Sequence, residues 1–148
     1  MKHGNAAIIL SVTAALVLVS SGGVMVANAQ VTYPQTGALV GYGGQIFGLA
    51  DVTTDGHKTD INIATDYLPP SGKVYEAWLV DGNYYASGYP LSLGQLDAKG
   101  NLKFSENMVN SLTYTDIMVT VEPDNDKDPK PAWSQAVAAY YLAPPFGQ

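Results

Sequence analysis

The chain has 148 residues, with 13 acidic and 7 basic side chains, for a net charge of −6. Every basic residue is a lysine, cysteine is absent, and hydrophobic residues make up 47% against 14% charged. Such a chain is too apolar to be disordered. It has no thiols for disulfides or for Cys-based zinc or iron–sulfur centres, and its lysines are too few and scattered to build a nucleic-acid surface. One domain of ordinary size remains.

Lys2 and His3 precede an uncharged run from Ala6 to Val19. A small-residue region follows, ending in Ala27-Asn28-Ala29, the small-x-small pattern that signal peptidase cuts. Residues 1–29 are therefore expected to be a signal peptide, a hydrophobic helix whose removal leaves Gln30 first. The alternative is an uncleaved anchor: Ala6 to Ala27 carries no charge and is close to the ~20 residues that a membrane span needs. Gly22-Gly23 counts against it, because paired glycines weaken a helix. Both alternatives put the chain from Gln30 onward outside the cytoplasm, secreted or held on the outer face of the plasma membrane. Only the N-terminal segment would then touch the membrane. The exported part carries no N-x-Ser/Thr glycosylation signal.

Residues 30–44, rich in Gly, Thr and Tyr, are expected to be a linker leading into a first strand. Ile46 to Thr53 alternates, with Ile46, Gly48, Ala50 and Val52 on one face and Phe47, Leu49 and Asp51 on the other. Asp55-Gly56 marks a turn. Thr59 to Thr65 alternates again, Ile61 and Ile63 inward, Asp60 and Asn62 outward. Leu68-Pro69-Pro70-Ser71-Gly72 breaks the chain. Val74 to Val80 is apolar on both faces apart from Glu76, which predicts a central strand covered on both sides. After Asp81-Gly82-Asn83, short strands are expected at Tyr84–Ser87 and Leu91–Leu96. Asp97-Ala98-Lys99-Gly100 reads as a hairpin turn into Asn101–Ser105. Ser111 to Tyr114 is a helical turn at most. Asp116–Glu122 and Gln135–Ala143 close the series. Seven or eight short strands, with turn signals about every 8–12 residues, predict an antiparallel immunoglobulin-like β-sandwich over residues 45–143, with a tail at 144–148.

The segment Val74-Tyr75-Glu76-Ala77-Trp78-Leu79-Val80-Asp81 resembles the Y-x-x-W-L-V-D stretch of anti-sigma-K factor C-terminal domains. Leu91-Ser92-Leu93-Gly94 followed by Asp97-Ala98-Lys99-Gly100 is similar to that family's next strand and Gly-marked hairpin. Ile117-Met118-Val119-Thr120-Val121-Glu122-Pro123 resembles its V-T-V-E-P strand. Pro129-Lys130-Pro131, then Ala136-Val137-Ala138, resembles its proline-containing loop and closing strand. The resemblance covers about residues 73–142 and implies an extracytoplasmic sandwich domain. In that family a cytoplasmic zinc-binding part grips the sigma factor. Here five residues precede the apolar run, so no grip on a cytoplasmic sigma factor is expected. The Gly-Gly that follows E-P in the family is replaced by Asp124-Asn125-Asp126-Lys127-Asp128.

Reactive constellations are sparse. Asp124, Asp126 and Asp128 alternate like the start of a calcium loop, and alternate carboxylates can converge on that ion. Pro129 and Gln135 stand where an EF-hand needs Gly and Glu, so the run offers weak calcium binding or an ordinary solvated acidic loop. His57 is the sole histidine after Gln30. It sits in a turn, without a Ser-His-Asp set, a G-x-S-x-G elbow or the three ligands of a catalytic zinc. Asp81 and Glu122, at strand ends, could form a carboxylate pair of the glycosidase kind only if they shared one rim. Both also suit turns. Tyr84, Tyr85 and Tyr89, with Trp133, are candidates for a binding surface, since rings on loops bring rigid contact area at low entropy cost. They could equally cover the ends of the sandwich. The expected function is a non-enzymatic module that binds an envelope or cell-surface protein. The alternative is a secreted module binding calcium or carbohydrate, and a small hydrolase ranks last. No cofactor is expected beyond that calcium, and no nucleic-acid partner.

Overall fold

The computed structural model describes residues 31–81, 90–108, 111–128 and 130–147. The expected signal or anchor helix (1–29) and the strand expected at Tyr84–Ser87 lie outside the described residues. Eight strands follow in chain order: β1 (Tyr33–Gly41), β2 (Ile46–Thr54), β3 (Lys58–Thr65), β4 (Lys73–Val80), β5 (Leu91–Gln95), β6 (Asn101–Asn107), β7 (Asp116–Pro123) and β8 (Ala136–Tyr141). Short 3-10 turns occupy Ser111–Thr113 and Trp133–Gln135. All the strand pairings are antiparallel. The order is β5-β4-β7-β8-β1-β2-β3-β6, a single sheet that curls nearly into a barrel.

The all-β antiparallel expectation holds. The expected division into two stacked sheets does not describe the hydrogen bonding, and the cause is β1. Residues 30–44 were expected to be a linker, yet Tyr33–Gly41 pairs with β2 along its length and with β8 through Val40–Ala139 and Gly41–Ala138. Leaving β1 out of the order yields two groups, β5-β4-β7-β8 and β2-β3-β6. With it, backbone bonds run from one group to the other. Its glycines and polar residues hid it: glycine is depleted in strands, but Gly37 answers to what lies next to it.

At Gly37 the reason is steric. A Cβ there would lie 2.1 Å from Cε2 of Tyr140, so the Tyr140 ring fills the space that a side chain at position 37 would need, just beyond Val40–Ala139, where the β1–β8 ladder ends. Past that end the link is made by Gln35. Its Nε2 donates to the Ala143 carbonyl at 2.7 Å. Its Oε1 accepts from the Ala143 amide at 2.8 Å and from the Tyr140 hydroxyl at 3.3 Å. One side-chain amide thus pairs with both backbone groups of Ala143, as a strand backbone would, at an exposed position beyond the end of the ladder.

The interior holds Leu39, Phe47, Ala50, Val52, Ile61, Ile63, Tyr75, Ala77, Leu79, Leu93, Leu102, Ile117, Val119 and Ala138, all buried. Ile61 and Ile63 point inward and Asn62 outward, as their alternation predicts. Phe47 is a correction. Alternation places it opposite Ala50 and Val52, but the register passes from Leu39–Gly48 to Val40–Ile46. That leaves Phe47 as the extra residue of a bulge, which rotates the strand. Phe47 turns inward and Ile46 outward. Inside, Phe47 stacks on Tyr67 at 5.2 Å between ring centroids and meets Tyr75 edge-on at 5.1 Å.

The turn Asp97–Gly100 links the two edge strands. Asp97 Oδ1 accepts from the Lys99 and Asn101 amides at 2.8 and 2.9 Å. Gly100 has a φ of +78°, and a Cβ there would lie 2.3 Å from the Thr65 carbonyl oxygen. Gly100→Ala is expected to lower stability by about 1–3 kcal/mol, because it strains the backbone and collides with main chain that cannot yield. Urea unfolding would measure it.

Candidate functional site

β4 and β7 lie next to each other near one end of the sheet order and are buried on both faces. One side faces the main core. On the other, Trp78, Val80 and Met118 form a second cluster, on which Trp133 and Ala136 pack. The outer cover comes from the segment that leaves β7 at Pro123 and returns through Trp133–Gln135 to β8. Trp133, expected as a loop aromatic for binding, therefore contributes to this cover and is partly buried.

Under that cover runs a polar relay. The Trp78 indole Nε1 donates to Thr120 Oγ1 at 2.9 Å. Thr120 Oγ1 donates to Glu122 Oε1 at 2.6 Å. The same Oε1 accepts from the Ala132 amide at 2.8 Å, which ties the covering segment to the sheet. Glu122 is 1% exposed, and its Oε2 is buried with no partner among the described residues. The local cause is strand parity: residues 118, 120 and 122 of β7 share one face, opposite residues 78, 76 and 74 of β4.

Glu76 lies on the same face, opposite Thr120. Burial pushes its carboxyl above the ordinary range, the Ser92 hydroxyl opposes this, and the negative charges of Glu122 and Asp126 add to it. The Ser92 Oγ–Glu76 Oε1 distance is 2.6 Å. At the other end of β7, burial likewise raises Asp116, against a hydrogen bond from Thr115. Asp116 Oδ1 is buried without a partner among the described residues.

The remaining expected sites are placed as follows. Tyr84, Tyr85 and Tyr89 lie outside the described residues. Asp126 Oδ1 accepts from the Asp128 amide at 2.8 Å, and Asp128 Oδ1 from the Lys130 amide at 3.2 Å. Of the acidic run of Asp124, Asp126 and Asp128, the latter two thus turn their carboxylates onto the loop's own backbone. Among the described residues no three His, Asp or Glu side chains stand close enough to hold a metal ion. His57 is exposed in the turn between β2 and β3, where Asp55 Oδ1 accepts from the Lys58 and His57 amides at 2.6 and 2.8 Å. Those two amides hold the Asp55 carboxyl below its usual range.

Asp81 and Glu122 do not share a rim. β4 and β7 are neighbours, but antiparallel: Lys73 pairs with Pro123 and Val80 with Asp116. Asp81 therefore leaves one end of the ladder and Glu122 sits near the other, about 20 Å apart at ~3.3 Å per residue. The same register sends the chain after Val80 out at one end and the acidic loop after Pro123 out at the opposite end.

The outer face continues beyond the cover. One cross-strand row reads Trp78–Met118–Ala139–Val40–Ile46. Its first half lies beneath Trp133. Its second half is bare: Val40 is 42% and Ile46 58% exposed, with Leu49 at 54%, Tyr42 at 67% and Tyr141 at 77% nearby. Ala38, Val40, Tyr42, Ala139 and Tyr141 line a shallow depression there. The sequence offered no sign of it, because the bulge at Phe47 is what turns Ile46 outward.

Comparison with known proteins adds the family. The model described as "Anti-sigma-K factor rskA, C-terminal" matches residues 9–136. The match takes in most of the chain, so the chain belongs to that family. No curated protein and no solved structure matches.

Two outcomes follow for the relay. Thr120→Val leaves the buried Trp78 N–H unpaired and removes a donor from Glu122, and should cost about 1–3 kcal/mol in urea unfolding followed by tryptophan fluorescence. Glu76→Gln tests the charge. A carboxyl whose folded value is raised above its unfolded one destabilises the fold once pH rises through the raised value, and the penalty disappears below the unfolded value. At neutral pH the variant should therefore unfold at equal or higher urea than the parent. Its advantage should shrink as pH falls below the ordinary carboxylate range.

Proposed function

We propose that this member of the anti-sigma-K factor C-terminal family is a non-catalytic module that works outside the cytoplasm by binding another envelope or cell-surface protein. Its two four-strand halves act as the layers of a sandwich. The single observation that carries the proposal is the bare apolar row across β8, β1 and β2. Contiguous exposed apolar surface on a small domain marks a contact site. Here Val40, Ile46, Leu49, Tyr42 and Tyr141 cluster on one face.

Family membership supports a regulatory role rather than turnover. The separation of Asp81 from Glu122 weighs against a paired-carboxylate hydrolase, which needs its acids within about 5–10 Å. Calcium binding, the alternative drawn from Asp124, Asp126 and Asp128, draws no support from a loop in which Asp126 and Asp128 accept from amides two residues on. The uncharged run followed by Ala27-Asn28-Ala29 supports an extracytoplasmic location.

Crosslinking in intact cells, with mass spectrometry of the captured material, tests the proposal. The parent chain should capture a defined envelope protein, and Val40→Asp combined with Ile46→Asp should abolish that capture. Both positions are exposed, so the double variant should keep its melting temperature within a few degrees of the parent. Equal capture by both chains would refute the role of this face. An N-terminus at Gln30 in the same spectra would mark release from the membrane, and an intact start would mark tethering. Millimolar calcium, compared with chelator, should leave the melting temperature unchanged.

A further inference from the structure

The sheet does not close. β5 and β6 stand at the two ends of the strand order, and among the described residues no ladder joins them. They meet at the Asp97–Gly100 turn, where the Asp97 amide donates to the Asn101 carbonyl at 2.8 Å. They are still close at Gly94, whose added Cβ would lie 3.6 Å from Leu102 Cδ1. Farther from the turn a cleft of about 430 Å³ opens, lined by Leu91, Ser92, Phe104, Glu106, Met108 and Tyr114.

Three features of this cleft point to one kind of occupant. Its walls are strand edges. β5 pairs with β4 and β6 with β3, so among the described residues each edge has an outward side with no strand on it. Such a side presents a row of main-chain donors and acceptors that an extended chain can complete. Its floor is the main core seen from outside: Leu91, Phe104 and Tyr114 are only partly buried and pack against that core. A closed barrel would cover them. Finally, Glu106 has the parity of Leu102 and Phe104 and is exposed, so a carboxylate stands on the inward side of β6 at the mouth. An inward-facing charge on an edge deters pairing with a second copy of the same edge. It favours a strand that brings a cation.

We propose that the opening between β5 and β6 receives an extended peptide strand from a partner protein, paired to the free edge of β6, with apolar side chains over Phe104 and a lysine or arginine at Glu106. This surface is separate from the bare face of β8, β1 and β2, and stands or falls independently of it.

The test uses the isotope-labelled chain and a synthetic ten-residue peptide alternating valine and threonine around one central lysine. On titration, amide shifts should concentrate in Leu91–Gln95 and Asn101–Asn107, with slower hydrogen exchange in β6. The same peptide N-methylated at alternate residues cannot pair along an edge and should give no such shifts. Glu106→Lys, at an exposed position, should weaken the lysine peptide about fivefold, the scale of a surface ion pair, and should favour a glutamate-centred peptide instead. Shifts elsewhere, equal binding of the N-methylated peptide, or no shift at millimolar peptide would each overturn the proposal. So would nuclear Overhauser contacts in the free chain showing residues 82–89 already paired along β6. Loss of partner capture in Val40→Asp/Ile46→Asp, with peptide binding unchanged, would show that the two surfaces are distinct.

Discussion

β1 has to find hydrogen-bond partners on both sides, and the rest of the molecule is arranged around that requirement. On one side it meets β2 in a long ladder. On the other it meets β8 for two residue pairs, beyond which the Tyr140 ring lies over Gly37. Where the strands part, the backbone groups of Ala143 need partners from the protein or from water. Gln35 supplies both a donor and an acceptor to Ala143. The Tyr140 ring, the glycine beneath it and the Gln35 amide stand together where the β1–β8 ladder ends.

The curl of the sheet explains where the exposed apolar surfaces lie. Curling the sheet brings its end strands together at the Asp97–Gly100 turn without pairing them, and so leaves the cleft between β5 and β6. It also turns one continuous apolar row outward across β4, β7, β8, β1 and β2. Trp133 and its neighbours cover the first part and anchor through Glu122 to the backbone at Ala132. Nothing among the described residues covers the rest. A half-covered apolar face is the largest departure from an ordinary solvated surface among the described residues. Among those residues no three acidic or histidine side chains converge on one point.

Much of this architecture was legible in the order of residues. Ile61 and Ile63 against Asn62 gave β3, and the doubly apolar run through Trp78 gave β4 as an inner strand. Asp97-Ala98-Lys99-Gly100 gave the hairpin turn. The misreadings share a cause. Phe47 was assigned to the wrong face because period-two alternation has no place for a bulge. β1 reads as a linker in the sequence because glycine is a poor strand former, and Gly37 answers to Tyr140, which lies far along the chain. The pairing imagined for Asp81 and Glu122 overlooked direction: neighbouring antiparallel strands carry their C-terminal ends to opposite rims. Thr120 as the link between an indole and a buried carboxylate had a faint signal, two polar residues at i and i+2 in an apolar strand. Nothing local named Trp78 as the partner.

The sequence by itself determined the all-β character, the turn positions and the family, because alternation, turn chemistry and motif order are local properties that each segment carries with it. Tertiary structure alone decided that two groups of strands become one sheet, which aromatic rings are covered, and which apolar face stays bare. Those outcomes depend on register and on contacts between residues as distant as Gln35 and Ala143. There, the cost of an unpaired backbone group or an added Cβ is set by whatever the fold places next to it.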